Sequence, residues 1–364
     1  MKAQTLSIDR ISAAALAALG ALNALFALSF FAVLAFAVQA APAQSAEACT
    51  GKNLLEAMRQ NDPGLLREIE AEAANVVNGD TTLFRVENDK GVPSWLFGTM
   101  HLTDKRVIDL PPHAREAFKA ASTVAIESVE ILDPAKAQLA LFSRPELTMF
   151  TDGNRLSDYL TAEQREILRD GLSARGIQLA LVDRMKPWLI TGMVALPRCE
   201  LDRKKAGESF LDLKLAEDAE RDGKSLVGLE TLVEQFDAMA SLPIEFHVRG
   251  LVDTITLGET VDDVLETMTE LYVDGKTGTI WPLLRAMTPE IDDAGDAGKK
   301  VAQGYAAFEE ALVNVRNRTM VDRSRDLVER GGAFIAVGAL HLPGEKGLPA
   351  LFEQDGFTVT PVYN

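Results

Sequence analysis

Trp95-Leu96-Phe97-Gly98-Thr99-Met100-His101-Leu102 and Ala333-Phe334-Ile335-Ala336-Val337-Gly338-Ala339-Leu340-His341-Leu342 decide how this chain is read. Each stretch is a short apolar run that ends in Gly-x-x-His-Leu and then passes through a turn into residues of helical character. Together they hold two of the four histidines in the chain. Strand ends are where α/β proteins place their chemistry. Two imidazoles brought together there are the usual start of a metal or acid–base site. The glycine three residues before each histidine permits a positive φ or a close backbone approach, so the strand can turn sharply and aim the ring over the sheet edge.

Working outward, residues 82–87 alternate like a strand, Asn88-Asp89-Lys90-Gly91 is turn chemistry, and Ser94 restarts the chain as the second arm of a hairpin. Pro111-Pro112 opens a helix, and residues 123–127 form a short apolar strand that ends in an acid, Glu127. The second copy has the same plan: a strand at 333–337, a short helix at 347–354 and a last strand at 357–362. Between the copies, residues 134–331 read as mainly helical, with a capping box at Thr161-Ala162-Glu163-Gln164 and a single strand at 225–227. The expected fold class is α/β: a mixed sheet built from two strand–GxxH–helix–strand halves, with residues 134–331 as a helical insertion or cap. The acidic, glycine-containing stretch 292–298 lacks the ligand spacing of an EF-hand and reads as a solvated connection.

Residues 1–46 are set apart. Lys2 and Arg10 precede a stretch with no charge from 11 to 46, strongly apolar from 16 to 38, and small-x-small triplets follow. This has the form of a secretory signal with a long apolar core, and the core is also long enough for an uncleaved membrane anchor. The expected location is periplasmic or secreted, with residues 47–364 as one folded domain. Net charge is −17, and −18 without residues 1–46. That excess argues against nucleic acid and anionic membrane surfaces as partners. The two cysteines, Cys49 and Cys199, are expected to pair as a disulfide in an exported protein.

Four further residues join the histidines as candidates. Glu127 ends a buried strand, where a carboxylate must be paired, protonated or on a metal. With His101 and His341 it makes a common ligand set for a hydrolytic metal, or it serves as the general base on the metal-bound water; it would otherwise cap the next segment or pair with an arginine. Glu230, in Gly228-Leu229-Glu230-Thr231, also follows a short strand and is open to three roles: second ligand, general base or helix-cap partner. Arg316 and Asn317 lie on the last long helix. An arginine there suits a substrate carboxylate or a developing oxyanion, or simply a solvated helix face. His113 and His247 read as surface and core residues. No His-Glu-x-x-His, no Gly-x-Ser-x-Gly and no complete phosphate loop occurs.

With these residues in place, the chain resembles the TraB/PrgY/GumN family, which includes the Tiki proteins. The resemblance rests on Trp95 to His101, the strand ending at Glu127, Gly228-Leu229-Glu230-Thr231, Arg316-Asn317, and Val337 to Gly344. The export-like start and acidic helical middle look most like the bacterial GumN branch. The resemblance implies a metal-dependent peptidase-like fold, with His101, His341 and Glu127 as the residues essential to a divalent-metal protease. The resemblance suggests manganese or cobalt as the cofactor; zinc is the third divalent candidate for such a site, and a peptide or small molecule is the expected substrate. Two other readings stand beside this exported hydrolase: a non-catalytic protein that sequesters a peptide or small ligand, and a haem- or iron-binding protein using one histidine axially.

Overall fold

All five residues from Ala333 to Val337 are buried, and they alternate strictly between two cores. Phe334 and Ala336 pack on one side of a sheet, and Ala333, Ile335 and Val337 on the other. A strand apolar on both faces must be central, with helices covering both sides. The computed structural model describes residues 49–89, 91–287 and 296–363, without the side chains of 296–302. The export segment expected at 1–46 lies outside them. So does the connection expected over 292–298 as far as residue 295, and helix takes over at Asp296.

The sheet has six strands: β1 (Leu83–Glu87), β2 (Ser94–Thr99), β3 (Thr123–Ile126), β4 (Ser225–Gly228), β5 (Ala333–Gly338) and β6 (Thr358–Val362), in the order β4-β3-β5-β2-β1-β6. β2, β3, β4 and β5 run parallel, and β1 pairs antiparallel with β2 and β6. The expected mixed α/β sheet is thus present, and the two Gly-x-x-His strands, β2 and β5, are direct neighbours. Their units interleave, because β3, reached from the first copy, lies on the far side of β5.

One face of the sheet is covered by the helices Pro112–Ala120 and Leu211–Arg221 through Ala114, Ala117, Phe118, Leu215 and Ala219. The other is covered by Val315–Arg330 and Leu348–Gln354 through Met320, Val321, Val328 and Phe352. The helical stretch 134–331 is therefore not a single cap. It contributes β4 and two of the helices that cover the sheet. A separate core of Leu168, Leu172, Ile190, Leu251 and Ile255 forms where the helices Ala162–Ala174, Pro187–Val194 and Ile244–Leu257 meet. Among the described residues no helix is long and apolar enough to cross a membrane.

Cys49 and Cys199 form the expected disulfide. Cys199 opens the helix Arg198–Lys205, and this tethered helix supports the loop after β2. Buried Glu200 accepts hydrogen bonds from Thr103 N and Oγ1, both at 2.8 Å, and Lys204 Nζ donates to the His101 carbonyl at 3.1 Å. A cross-link spanning 150 residues restricts the unfolded chain and contributes roughly 2–5 kcal/mol in typical cases.

Neither motif glycine takes the positive φ that was one of the two expected reasons for it; close approach is the reason. A Cβ on Gly98 would lie 2.7 Å from Leu342 Cδ1 and 3.0 Å from the Ala339 Cα, so the first motif is the floor on which the second crosses. Gly98→Ala is expected to lower stability by about 1–3 kcal/mol, since backbone as well as side chain must shift. Gly192, on the helix Pro187–Val194 with open space around its Cβ position, is the contrast. Gly192→Ala is expected to be neutral or to raise stability by up to about 1 kcal/mol. Urea unfolding midpoints of the two variants check both.

Candidate active site

Four parallel strands end side by side, and each hands its next residues to one place. In register, Gly98 lies opposite Val337, and Ile126 opposite both Ala336 and Gly228. Beyond the strand ends the Glu230 N–H donates to the Glu127 carbonyl at 2.7 Å, which extends the β3–β4 pairing by one step. The order across the edge is therefore Glu230 from β4, Glu127 from β3, His341 from β5 and His101 from β2. This is the carboxyl edge of a parallel sheet, the usual ligand position in such folds.

Glu127 is the hub. Its Oε1 accepts from the Gly338 N–H at 2.7 Å and stands 3.7 Å from His341 Nε2. Its Oε2 accepts from Arg316 Nη2 at 2.7 Å and Gln235 Nε2 at 3.0 Å. A Cβ on Gly338 would come within 3.1 Å of Glu127 Oε1, so any larger residue there presses on the carboxylate. Burial disfavours the carboxylate charge, but His341, Arg316 and His101 beside it and the Gly338 N–H outweigh burial and hold the Glu127 carboxyl at about 2.

Arg316 sits between the two glutamates. Its Nε donates to both Glu230 oxygens at 3.1 and 3.0 Å, and Nη2 to Glu230 and Glu127, each at 2.7 Å. Nη1 donates to the Leu312 carbonyl at 3.1 Å. That carbonyl belongs to a π-helical turn, Glu310–Asn314, which interrupts the last helix just before Arg316. A π turn holds one residue more than an α turn, so it re-aims the residues that follow; such turns are frequent at functional sites. All three guanidinium nitrogens are engaged inside the protein. The expected role of Arg316 toward a substrate group therefore gives way to clamping the two carboxyls. Glu230 is not a cap partner either, since the next helix, Leu232–Ala240, is capped by Thr231 with Glu234.

Asn317 fixes His341. Its Nδ2 donates to the carbonyls of Lys346 at 2.8 Å and His341 at 3.3 Å, which makes Oδ1 the acceptor. His341 Nδ1 lies 2.6 Å from that Oδ1, so the proton is on Nδ1 and Nε2 keeps a free lone pair toward Glu127. Burial pulls the His341 pKa down to about 4, so the ring is neutral near pH 7.

His101 differs. Its side chain is 56% exposed, and its ring packs against Phe210. Its Nε2 stands 3.4 Å from Asp212 Oδ2, and the Asp212 charge lifts its pKa to about 9. The structure thus joins Glu127, Glu230, Arg316, Asn317 and His341 by direct contacts, and sets His101 beside them with Asp212 as its contact. His247 packs in the helical middle, with Nε2 2.9 Å from the Met239 carbonyl, and His113 is exposed.

Two site residues escaped the sequence reading. Gln235 lies on an otherwise ordinary capped helix and carries no local signal. Asp212 carried one: it falls on the apolar stripe of the helix Leu211–Arg221, with Leu215, Ala216 and Ala219 at i+3, i+4 and i+7. An acid on a buried stripe needs a reason.

Among the described residues no three His, Cys, Asp or Glu side chains stand close enough to hold a metal ion as placed. The donor chemistry nevertheless fits a divalent cation. His341 Nε2 has a free lone pair, Asp212 Oδ2 is a buried acceptor without a hydrogen-bond partner, and two buried carboxyl groups, those of Glu127 and Glu230, share one guanidinium.

Removing that guanidinium leaves buried carboxyls without a counter-charge. Arg316→Leu is expected to cost roughly 3–5 kcal/mol of stability in denaturant unfolding. Arg316→Lys is expected to recover only part of it, because an ammonium cannot reproduce the two-sided fork.

Metalloprotease TIKI1 of Danio rerio is 25% identical over 323 residues, covering 78% of this chain and 64% of its own length. Metalloprotease TIKI2 of Danio rerio is 25% identical over 309 residues, covering 73% and 58%. Metalloprotease TIKI1 of Homo sapiens is 24% identical over 322 residues, covering 73% and 59%. The chain thus spans about three fifths of the length of these curated relatives. No solved structure matches. The TraB/PrgY/gumN family model matches residues 82–361, from the first strand of the sheet to the last and through both Gly-x-x-His segments, and the chain belongs to that family.

Proposed function

We propose that this protein is an exported, metal-dependent peptidase whose site is the carboxyl edge of β3, β5 and β2. The observation that carries the reading is the convergence of His341, with its Nε2 lone pair bare, on a Glu127 carboxylate, with His101 from the neighbouring strand beside them. Relatives named metalloproteases support the class. The export segment read at residues 1–46 supports the location.

His341, Glu127 and His101 would hold a divalent ion; manganese, cobalt and zinc all suit such nitrogen and oxygen donors. When bound, such an ion supplies Lewis-acid polarisation of a peptide carbonyl and a more acidic water. The chain's own residues prepare for it. Asn317 locks the His341 tautomer so that Nε2 faces the site. Arg316 and Gln235 orient Glu127 through Oε2 and leave Oε1 toward His341. A carboxylate already accepting three hydrogen bonds is a weak base, so Glu127 acts as a ligand and not as the proton acceptor. His341, Glu127 and Glu230 form a buried floor, and the exposed His101 marks the open side from which substrate approaches.

The test uses purified protein stripped with a chelator and resupplied with Mn2+, Co2+ or Zn2+ before incubation with a peptide library. Cleavage is expected to vanish on stripping and return with one of these ions. His101→Ala is expected to lose cleavage and metal binding together, with a nearly unchanged melting temperature because the ring is exposed. His341→Ala should lose both and also melt lower, since it empties a buried position. Full cleavage by either variant overturns the reading. Tight peptide binding with no product under every ion supports the sequestering alternative.

A further inference from the structure

The least explained charged group near the site is Asp212. Its side chain is 5% exposed and it sits in the first turn of the helix Leu211–Arg221, among residues that pack on the sheet. Its Oδ1 accepts from Thr99 Oγ1 at 2.7 Å, and Thr99 is the second residue of the first Gly-x-x-His motif. Its Oδ2 is buried without a hydrogen-bond partner, and His101 Nε2, 3.4 Å away, is the basic group it faces. A buried carboxylate oxygen left unsatisfied is destabilising. It is retained where another group needs it.

The two motifs supply the comparison. His341 has one ring nitrogen committed to a buried side chain on a helix packed against the sheet, Asn317, and the other left bare. His101 faces the same kind of partner from the opposite face of the sheet. Histidines that ligate metals nearly always donate their second ring N–H to a carboxylate or carbonyl, which fixes tautomer and orientation. We infer that Asp212 is the positioning residue of His101, the counterpart of Asn317 for His341. It accepts the Nε2 proton of His101 and leaves Nδ1 to face the site, so the two motif histidines present opposite ring nitrogens. Thr99, through Oδ1, holds the carboxylate in the orientation this requires. The inference rests on the metal-site reading for its consequence and on metal-free geometry for its core.

The experiment has two arms. In metal-free protein labelled with 15N-histidine, four ring spectra are expected, one for each histidine. In base strong enough to leave each ring one proton, His101 is expected with that proton on Nε2 and His341 with it on Nδ1. Asp212→Ala should shift His101 to a mixture of tautomers and leave His341 unchanged. An Nδ1–H tautomer at His101 in the wild type, or no change in Asp212→Ala, overturns the inference whether or not metal binds. The second arm is Mn2+ binding by calorimetry. Asp212→Ala is expected to weaken it by about 10- to 100-fold. Asp212→Asn keeps an acceptor oxygen, as Asn317 does, and is expected to retain affinity within a few-fold. Equal loss in the Asn and Ala variants would show that the carboxylate charge itself is the ligand and overturn the positioning role. A wild type that binds no Mn2+, Co2+ or Zn2+ would instead sink the metal-site reading and leave the tautomer result to decide on Asp212.

Discussion

One guanidinium holds this site together. Arg316 reaches from the last long helix to Glu127 beyond β3 and Glu230 beyond β4, and fastens two strand ends and a helix at a single buried point. Each carboxyl alone would be costly in such a place, and a shared planar fork is the side chain that can serve both. The π turn before Arg316 supplies the aim, and its Leu312 carbonyl takes a further donor. Asn317, one residue on, faces His341, so a single turn of helix sets the partners of residues that follow three strands. That economy explains why the helix, though distant in sequence from β3 and β4, is inseparable from the chemistry.

The sheet makes the clamp possible. Parallel strands with paired ends deliver their following residues along one edge, and here four consecutive positions in the sheet carry an acid, an acid, an imidazole and an imidazole. The two Gly-x-x-His loops lie this close because Gly98 carries no Cβ. Gly98 makes room for Ala339 and Leu342, and Gly338 makes room for Glu127. Support extends outward through the disulfide-tethered helix, where Glu200 and Lys204 hold the backbone after His101. The exposed histidine is thus on a braced loop, while the buried one stands in the short turn that directly follows the central strand β5. This asymmetry suits a site with a fixed floor and an open side.

Much of this was legible in residues read along the chain. The apolar runs before each Gly-x-x-His gave the strands, Thr161 marked a helix start that the structure places there, and the cysteine pair gave its own bridge. The strand-end position of Glu127 announced a functional or paired carboxyl, and it is paired. Less legible was the sense of Arg316. On its helix several arginines crowd together, and only the π turn, a deviation with no local sequence signature here, separates the one that turns inward. Asp212 was hidden for a related reason: its apolar neighbours mark a packing helix, and the acid among them reads as noise until His101 is seen beside it.

The sequence by itself determined the elements, their order and the residue types of the site, because periodicity, caps and glycines act over a few neighbouring residues. Only the tertiary structure decided which groups meet. The pairing of β2 with β5, the interleaving of β3 and the sharing of Arg316 between two glutamates depend on contacts between residues far apart in the chain. Such contacts are settled by packing the whole sheet between its two helical layers, and no short stretch of sequence carries that information.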